Sequence, residues 1–126
     1  MLLEYVGLSQ INGSLVILDG VKNASYDEMV QLRLDQILYI EGVKDYVKIH
    51  TEDGASVMTL MSMKAIEETL PADRFVRVHR SFIVHVDKIK TIERNRIVFG
   101  KEHIPISDNY KPRLVEFLAQ RALNFN

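Results

Sequence analysis

The side chains able to do chemistry fall in a few short stretches of this 126-residue chain, and their types restrict what that chemistry is. With no cysteine, thiolate nucleophiles, thiolate metal sites and disulfide frameworks are excluded. His79, His85 and Asp87 would share one face if a single strand ran through them, and would then offer a metal a nitrogen–oxygen ligand set. That requires an unbroken strand through Arg80-Ser81, and histidines on sheet faces more often serve as hydrogen-bonded structural groups. Ser81 follows His79 by two residues, but nothing completes a nucleophile, base and orienting group. The six glycines form no phosphate-cradling loop, which excludes P-loop and dinucleotide-binding readings. Two polar stretches remain. Lys44-Asp45-Tyr46 presents a cation, a carboxylate and an aromatic hydroxyl between two apolar runs. Arg80-Ser81 falls between Val78 and Phe82, which can anchor a core on either side of a turn. A guanidinium at such a corner suits a two-pronged contact with guanine or phosphate. The plainer alternatives are a polar hairpin connection and a solvated corner.

Charge adds a direction to this. The net charge of −1 argues against a protein that coats nucleic acid indiscriminately, but its distribution is uneven. Residues 1–73 hold five basic and twelve acidic side chains, a net −7. Residues 74–101 hold eight basic side chains against Asp87 and Glu93, a net +6, and residues 102–126 balance. A basic stretch on a near-neutral protein suits an oriented anionic partner, of which DNA is the commonest.

The elements that position these groups are mostly short strands. Leu15-Val16-Ile17-Leu18 is apolar and runs into the turn signal Asp19-Gly20. Residues 29–34 alternate as a half-buried strand does, whereas Ile37-Leu38-Tyr39-Ile40 is apolar on both faces and therefore central. Residues 46–51 alternate again and turn at Glu52-Asp53-Gly54 into 55–58. Further strands are expected at 75–78, 82–86, 91–93, 96–99 and 103–106. Ser62 caps a short helix carrying Met63, Ile66 and Leu70, which Pro71 ends. From Tyr110 to Ala122, Leu114, Phe117, Leu118 and Ala122 recur at helical spacing, with Pro112 in the first turn. Length and mass, 14.5 kDa, fit one domain, and no segment reaches the length of a membrane span or the pattern of a signal peptide. Residues 1–13 are weakly patterned and read as a linker remnant or an extra N-terminal segment, with the domain over 14–126.

Four blocks in this order resemble the LytTR DNA-binding domain. They are Ile37-Leu38-Tyr39-Ile40-Glu41-Gly42, Lys44 to Thr51 (Lys-Asp-Tyr-Val-Lys-Ile-His-Thr), Phe75 to Val84 (Phe-Val-Arg-Val-His-Arg-Ser-Phe-Ile-Val) and Ile104-Pro105-Ile106-Ser107. The resemblance extends from about residue 30 to residue 118. It implies a mainly β fold, an elongated stack of small antiparallel sheets of short strands, with one short inserted helix and a C-terminal helix. It also implies sequence-specific DNA binding for transcriptional regulation, as the output domain of a bacterial two-component response regulator. The loops would then read successive major grooves. Carried over by position, the contacts are Lys44, Asp45 and Tyr46, then Arg80 and Ser81, then the loop after Ile106, with His79 supporting the Arg80 turn. Asp108 stands where arginine is common in the family, and a carboxylate cannot donate to guanine. It either caps the terminal helix or accepts from a cytosine amino group, leaving Asn109 or Lys111 to make the third contact.

The resemblance implies no enzymatic activity; with no cysteine ligand, no phosphate-cradling loop and no membrane span in the sequence, no metal, no cofactor and no membrane partner are expected. The implied partners are double-stranded DNA, as paired direct repeats, and a receiver domain absent from this chain, reached by a histidine kinase. The implied location is the cytoplasm. Two other classes fit parts of the sequence. One is a β-rich protein-interaction module without DNA binding, which Asp108 and the −1 charge permit, and the other is a metal enzyme built on His79, His85 and Asp87.

Overall fold

The computed structural model describes the backbone of residues 8–12, 15–19 and 29–124, and the side chains of residues 32–121. Strands β1 (Leu8–Asn12), β2 (Leu15–Asp19) and β3 (Met29–Arg33) form an antiparallel sheet in that order. β1 pairs with β2. Residues 1–7, the turn at Gly20 and the side chain of Ala122 lie outside the described residues. A single 3-10 turn, Leu34–Gln36, leads from β3 into the central sheet, one strand residue sooner than alternation alone suggests.

That sheet has five antiparallel strands. They are β4 (Ile37–Val43), β5 (Tyr46–Thr51), β6 (Ser56–Leu60), β7 (Phe75–His79) and β8 (Phe82–His85), in the order β6-β5-β4-β8-β7. β4 is central, as its doubly apolar sequence requires. A bulge between Ile37 and Tyr39 breaks the alternation, so that Ile37 and Ile40 enter one core while Tyr39 enters the other. Between β6 and β7 comes helix α1 (Met63–Thr69). Its seven residues are too few to hold a helix alone. The Ser62 hydroxyl accepts from the Ala65 N–H at 3.0 Å, and Ile66 and Leu70 bury the helix against the sheet.

The opposite face is covered by β9 (Thr91–Glu93), β10 (Arg96–Phe99) and β11 (Glu102–Pro105), an antiparallel sheet with β10 in the middle, and by α2 (Lys111–Asn124). Two hydrophobic cores therefore sandwich the central sheet. The first joins Ile37, Ile40, Val47, Ile49 and Ile83 to Ile66 and Leu70. The second joins Tyr39, Val76, Val78 and Val84 to Ile97, Phe99, Ile104, Ile106 and Leu114. Fully burying an aliphatic side chain of this size contributes about 1.5–3 kcal/mol. Phe82 is half-buried at the margin of the second core, and the anchoring role expected of it belongs to its neighbours Ile83 and Val84. Mainly antiparallel sheets of short strands, one inserted helix and one C-terminal helix are the fold that the sequence implies.

Candidate nucleic-acid interface

Antiparallel pairing decides which turns share an end of the molecule. β4 and β5 are joined by the two-residue turn Lys44-Asp45, with Val43 opposite Tyr46. β7 and β8 are joined by Arg80-Ser81, with His79 opposite Phe82. Because Glu41 pairs with Phe82, both turns lie at the same end of the sheet. A backbone bond from the Gly42 N–H to the Ser81 carbonyl, 2.8 Å, ties them together. The loop after Ile106 joins them when the Ser107 N–H donates to the Val78 carbonyl at 2.9 Å. The three polar segments singled out from sequence are thus brought into one row, with the Lys44 and Arg80 turns about two strand spacings, or 10 Å, apart.

Within that row, Lys44, Asp45 and Arg80 are exposed, and Tyr46 and Ser81 half-exposed. The Lys44 and Arg80 side chains make no hydrogen bond or ion pair among the described residues, which leaves their cationic groups free for a ligand. Lys44 holds φ 58°, a left-handed conformation that residues with a Cβ seldom adopt. His79 braces the second turn, since its Nδ1 accepts from the Ser81 N–H at 3.0 Å and its ring meets Phe82 edge-on at 5.6 Å. Asn109 and Lys111 are exposed at the third loop. Asp108 is exposed too and caps nothing. The Tyr110 and Lys111 N–H groups both donate instead to the Ser107 carbonyl at 3.0 Å, and α2 begins only at Lys111.

Arg77 was not singled out from sequence, yet it holds the turn from beneath. Its guanidinium donates to Glu67 of α1 at 3.1 Å, to the His79 carbonyl at 3.4 Å and to the Arg80 carbonyl, and lies 5.6 Å from the Tyr110 ring centre. One cation thereby connects α1, the second turn and the third loop. The only sequence signal is a charge set between Val76 and Val78, where a half-buried strand position demands a partner.

The basic stretch of residues 74–101 does not form one face, because strand reversal sends its members to opposite ends. Arg80, Arg94 and Arg96 lie at the loop end, whereas Arg74, Lys88, Lys90 and Lys101 lie at the far end, with the β5–β6 turn. There Lys88 pairs with Glu52 at 2.8 Å, and Arg121 pairs with Asp87 at 3.0 Å. Of His79, His85 and Asp87 only the last two stay together, with His85 Nε2 4.0 Å from an Asp87 carboxylate oxygen. β7 and β8 reverse at Arg80, which leaves His79 at the loop end and His85 at the other. His85 is buried, stacked 4.5 Å from Phe75, with its Nδ1–H donating to the Ile37 carbonyl at 2.8 Å. Its Nε2 has no hydrogen-bond partner among the described residues, with the Asp87 carboxylate 4.0 Å away, and burial pulls its pKa below the ordinary 6.5. On the flank, Tyr39 stacks between His50 (4.3 Å) and Phe99 (5.4 Å). Burial, then the Glu102 and Glu41 carboxylates, push its phenol up to about 12, so it stays protonated at neutral pH.

Known proteins share this fold. A solved structure, the LytTr DNA-binding domain of a methyl-accepting/DNA response regulator from Bacillus cereus, superposes with a TM-score of 0.67 at 26% identity. That match covers 85% of this chain and 98% of the other. The sensory transduction protein LytT of Bacillus subtilis (strain 168) is 29% identical over 123 residues, 86% of this chain. The chain spans about half the length of that relative, 51%. The LytTr DNA-binding domain profile matches residues 27–119, and with that match over most of its length the chain belongs to the LytTr DNA-binding domain family.

Proposed function

We propose that this chain binds double-stranded DNA sequence-specifically and without enzymatic activity, as the transcription-regulating output domain of a response regulator. The observation that carries this reading is the single row formed by the Lys44-Asp45, Arg80-Ser81 and Ser107–Lys111 segments, hydrogen-bonded through their backbones. Arg80, unpaired at a braced turn, has the fork geometry to engage guanine O6 and N7 in a major groove. Lys44, Tyr46, Ser81, Asn109 and Lys111 flank it with groups that suit base edges or phosphates, and His79 keeps the turn in shape. The rest of the proposed setting is what the resemblance implies, supported by the sensory-transduction role in LytT's name. It comprises a receiver domain elsewhere in the protein, a histidine kinase acting through it, a cytoplasmic location and a DNA site of paired direct repeats.

The test is in-vitro selection of bound duplexes, followed by salt titrations on selected and scrambled DNA. Arg80→Ala should cost about 1–3 kcal/mol on the selected duplex and much less on the scrambled one, relaxing one base position. Arg80→Lys should rescue only part of the loss, since an ammonium lacks the planar fork. Lys90→Ala, at the far end, should change neither affinity. Equal losses on both duplexes would make Arg80 a phosphate clamp. Selection of no sequence at all would favour a protein-interaction module, with the exposed Asp45 and Asp108 facing a protein.

A further inference from the structure

We propose that the tip of the β9–β10 hairpin is a fourth nucleic-acid contact, in which Arg94 and Arg96 hold backbone phosphates beside the third loop. This rests on the reading of the loop end as a DNA interface, and extends it to a hairpin turn that is not among the three contacts implied by the family.

Placement is the first argument. β9 rises toward the loop end, turns at Arg94-Asn95 and returns as β10, so that Arg96 sits opposite both Glu93 and Pro105. The tip is fastened to the strand that leads into the third loop. The Ile106 N–H donates to the Asn95 carbonyl at 3.2 Å, and the Asn95 side-chain amide donates to the Ile106 carbonyl at 3.1 Å. The next residue, Ser107, is the one bonded to Val78. The tip therefore continues the row of turns by one more backbone link.

Charge is the second. Arg94 and Arg96 are exposed, and neither side chain makes a hydrogen bond or ion pair among the described residues. Glu93 lies across the ladder from Arg96 but does not pair with it. Among the described cations only Arg33, Arg77, Lys88 and Arg121 have a carboxylate within 4 Å, so it is their place at the loop end that sets Arg94 and Arg96 apart from other unpaired cations such as Lys101. Backbone geometry is the third. Arg94 and Asn95 have φ 51° and 65°, the doubly left-handed turn that matches hairpin twist and ordinarily favours asparagine and glycine. An arginine at the first position is disfavoured by local sterics, and the turn directs it outward from the tip. Long exposed guanidiniums with no bracing partners suit phosphate oxygens, which accept two-pronged bonds from a range of approaches, better than a fixed base edge.

The experiment uses the full chain and the selected duplex, with affinity measured from 50 to 200 mM salt. Arg94→Ala and Arg96→Ala should each weaken selected and scrambled duplexes alike. Each should shrink the affinity decrease over that salt range by about threefold, and the double variant by about tenfold, as expected for one released phosphate contact apiece. Arg94→Lys with Arg96→Lys should restore most of the salt dependence. Lys101→Ala, at the opposite tip of the same sheet, should behave as wild type. Trimming the duplex on the third-loop side should abolish the difference between wild type and the double variant. If Arg80→Ala loses selectivity while the double variant binds as wild type, the fourth contact is refuted and the three-loop reading stands. If the wild type prefers no duplex, the three-loop reading fails and the fourth contact fails with it.

Discussion

Replacing Arg77 with methionine keeps an unbranched apolar stem and deletes the cation that connects α1, the Arg80 turn and Tyr110. The magnitude follows from what the guanidinium holds. The Glu67 pair is partly in water, with side-chain exposures of 17% and 34%, so it contributes no more than a surface pair, about 0.2–1 kcal/mol. The two carbonyl bonds add about 1 kcal/mol each, and the contact with the Tyr110 ring about 0.5 kcal/mol. The expected loss is about 3 kcal/mol, which for a domain near this size lowers the melting temperature by roughly 10–15 °C. Stability alone would make Arg77 an ordinary structural residue. Its position under the Arg80 carbonyl adds a second expectation, because a loosened turn must order itself on binding. The preference for selected over scrambled DNA should then fall about tenfold at a temperature where the variant is fully folded, a loss of about 1.4 kcal/mol. Calorimetric melting and paired binding isotherms measure the two effects separately. Glu67→Gln, which leaves both carbonyl bonds in place, should show little of either. An unchanged melting temperature in Arg77→Met would refute the bracing contacts. A lowered melting temperature with undiminished preference would show that the turn needs no brace to read DNA.

Three further expectations rest on other residues. His85 is held below its ordinary pKa of 6.5 by burial, so the unfolded chain takes up a proton that the folded chain refuses. Its contribution is complete above about pH 6.5 and is lost as pH falls toward the depressed folded value, at up to about 1.4 kcal/mol per pH unit. Denaturation midpoints between pH 7.5 and 5 should show this slope in wild type but not in His85→Gln, and parallel profiles would refute it. Phe82→Ala should cost about 1–2 kcal/mol, because the ring is half-buried, whereas Ile83→Ala should cost about 3–4 kcal/mol; urea titration of both checks the order. The Tyr39 phenol should ionise only near pH 12, and an ultraviolet titration of Tyr39→Phe should lose that late component; an unchanged curve would refute it.

Local structure was the legible part of this chain. Strand positions followed from alternation, Ser62 and Pro71 bounded α1, and the doubly apolar 37–40 segment announced the central strand. Composition could not say where strand reversal sends each charge. Eight basic residues within 28 positions look like one surface, yet hairpins separate Arg94 and Arg96 from Lys90 and Lys101. The same reversal parted His79 from His85. Phe82 had the hydrophobicity of an anchor, but the pleat places it at the rim of the second core. The three candidate segments could be picked out because turns expose polar groups in a contiguous run of sequence. Arg77 escaped notice because its partners, Glu67 and Tyr110, are distant in sequence and become neighbours only on folding.

The backbone bonds joining Gly42 to Ser81, Val78 to Ser107 and Asn95 to Ile106 make the row of turns a ruler of fixed length. Such a ruler cannot stretch to follow its ligand. One base pair inserted between two contacted positions moves the second by roughly 3.4 Å and 35°. The duplex alone must absorb that change, by twisting or bending at an energy set by its own sequence. Steps that deform easily will be favoured between the contacted bases, and stiff tracts there will be penalised. If the row reads DNA as proposed, base pairs that no side chain touches should thereby acquire a preference, imposed by the rigidity of the sheet.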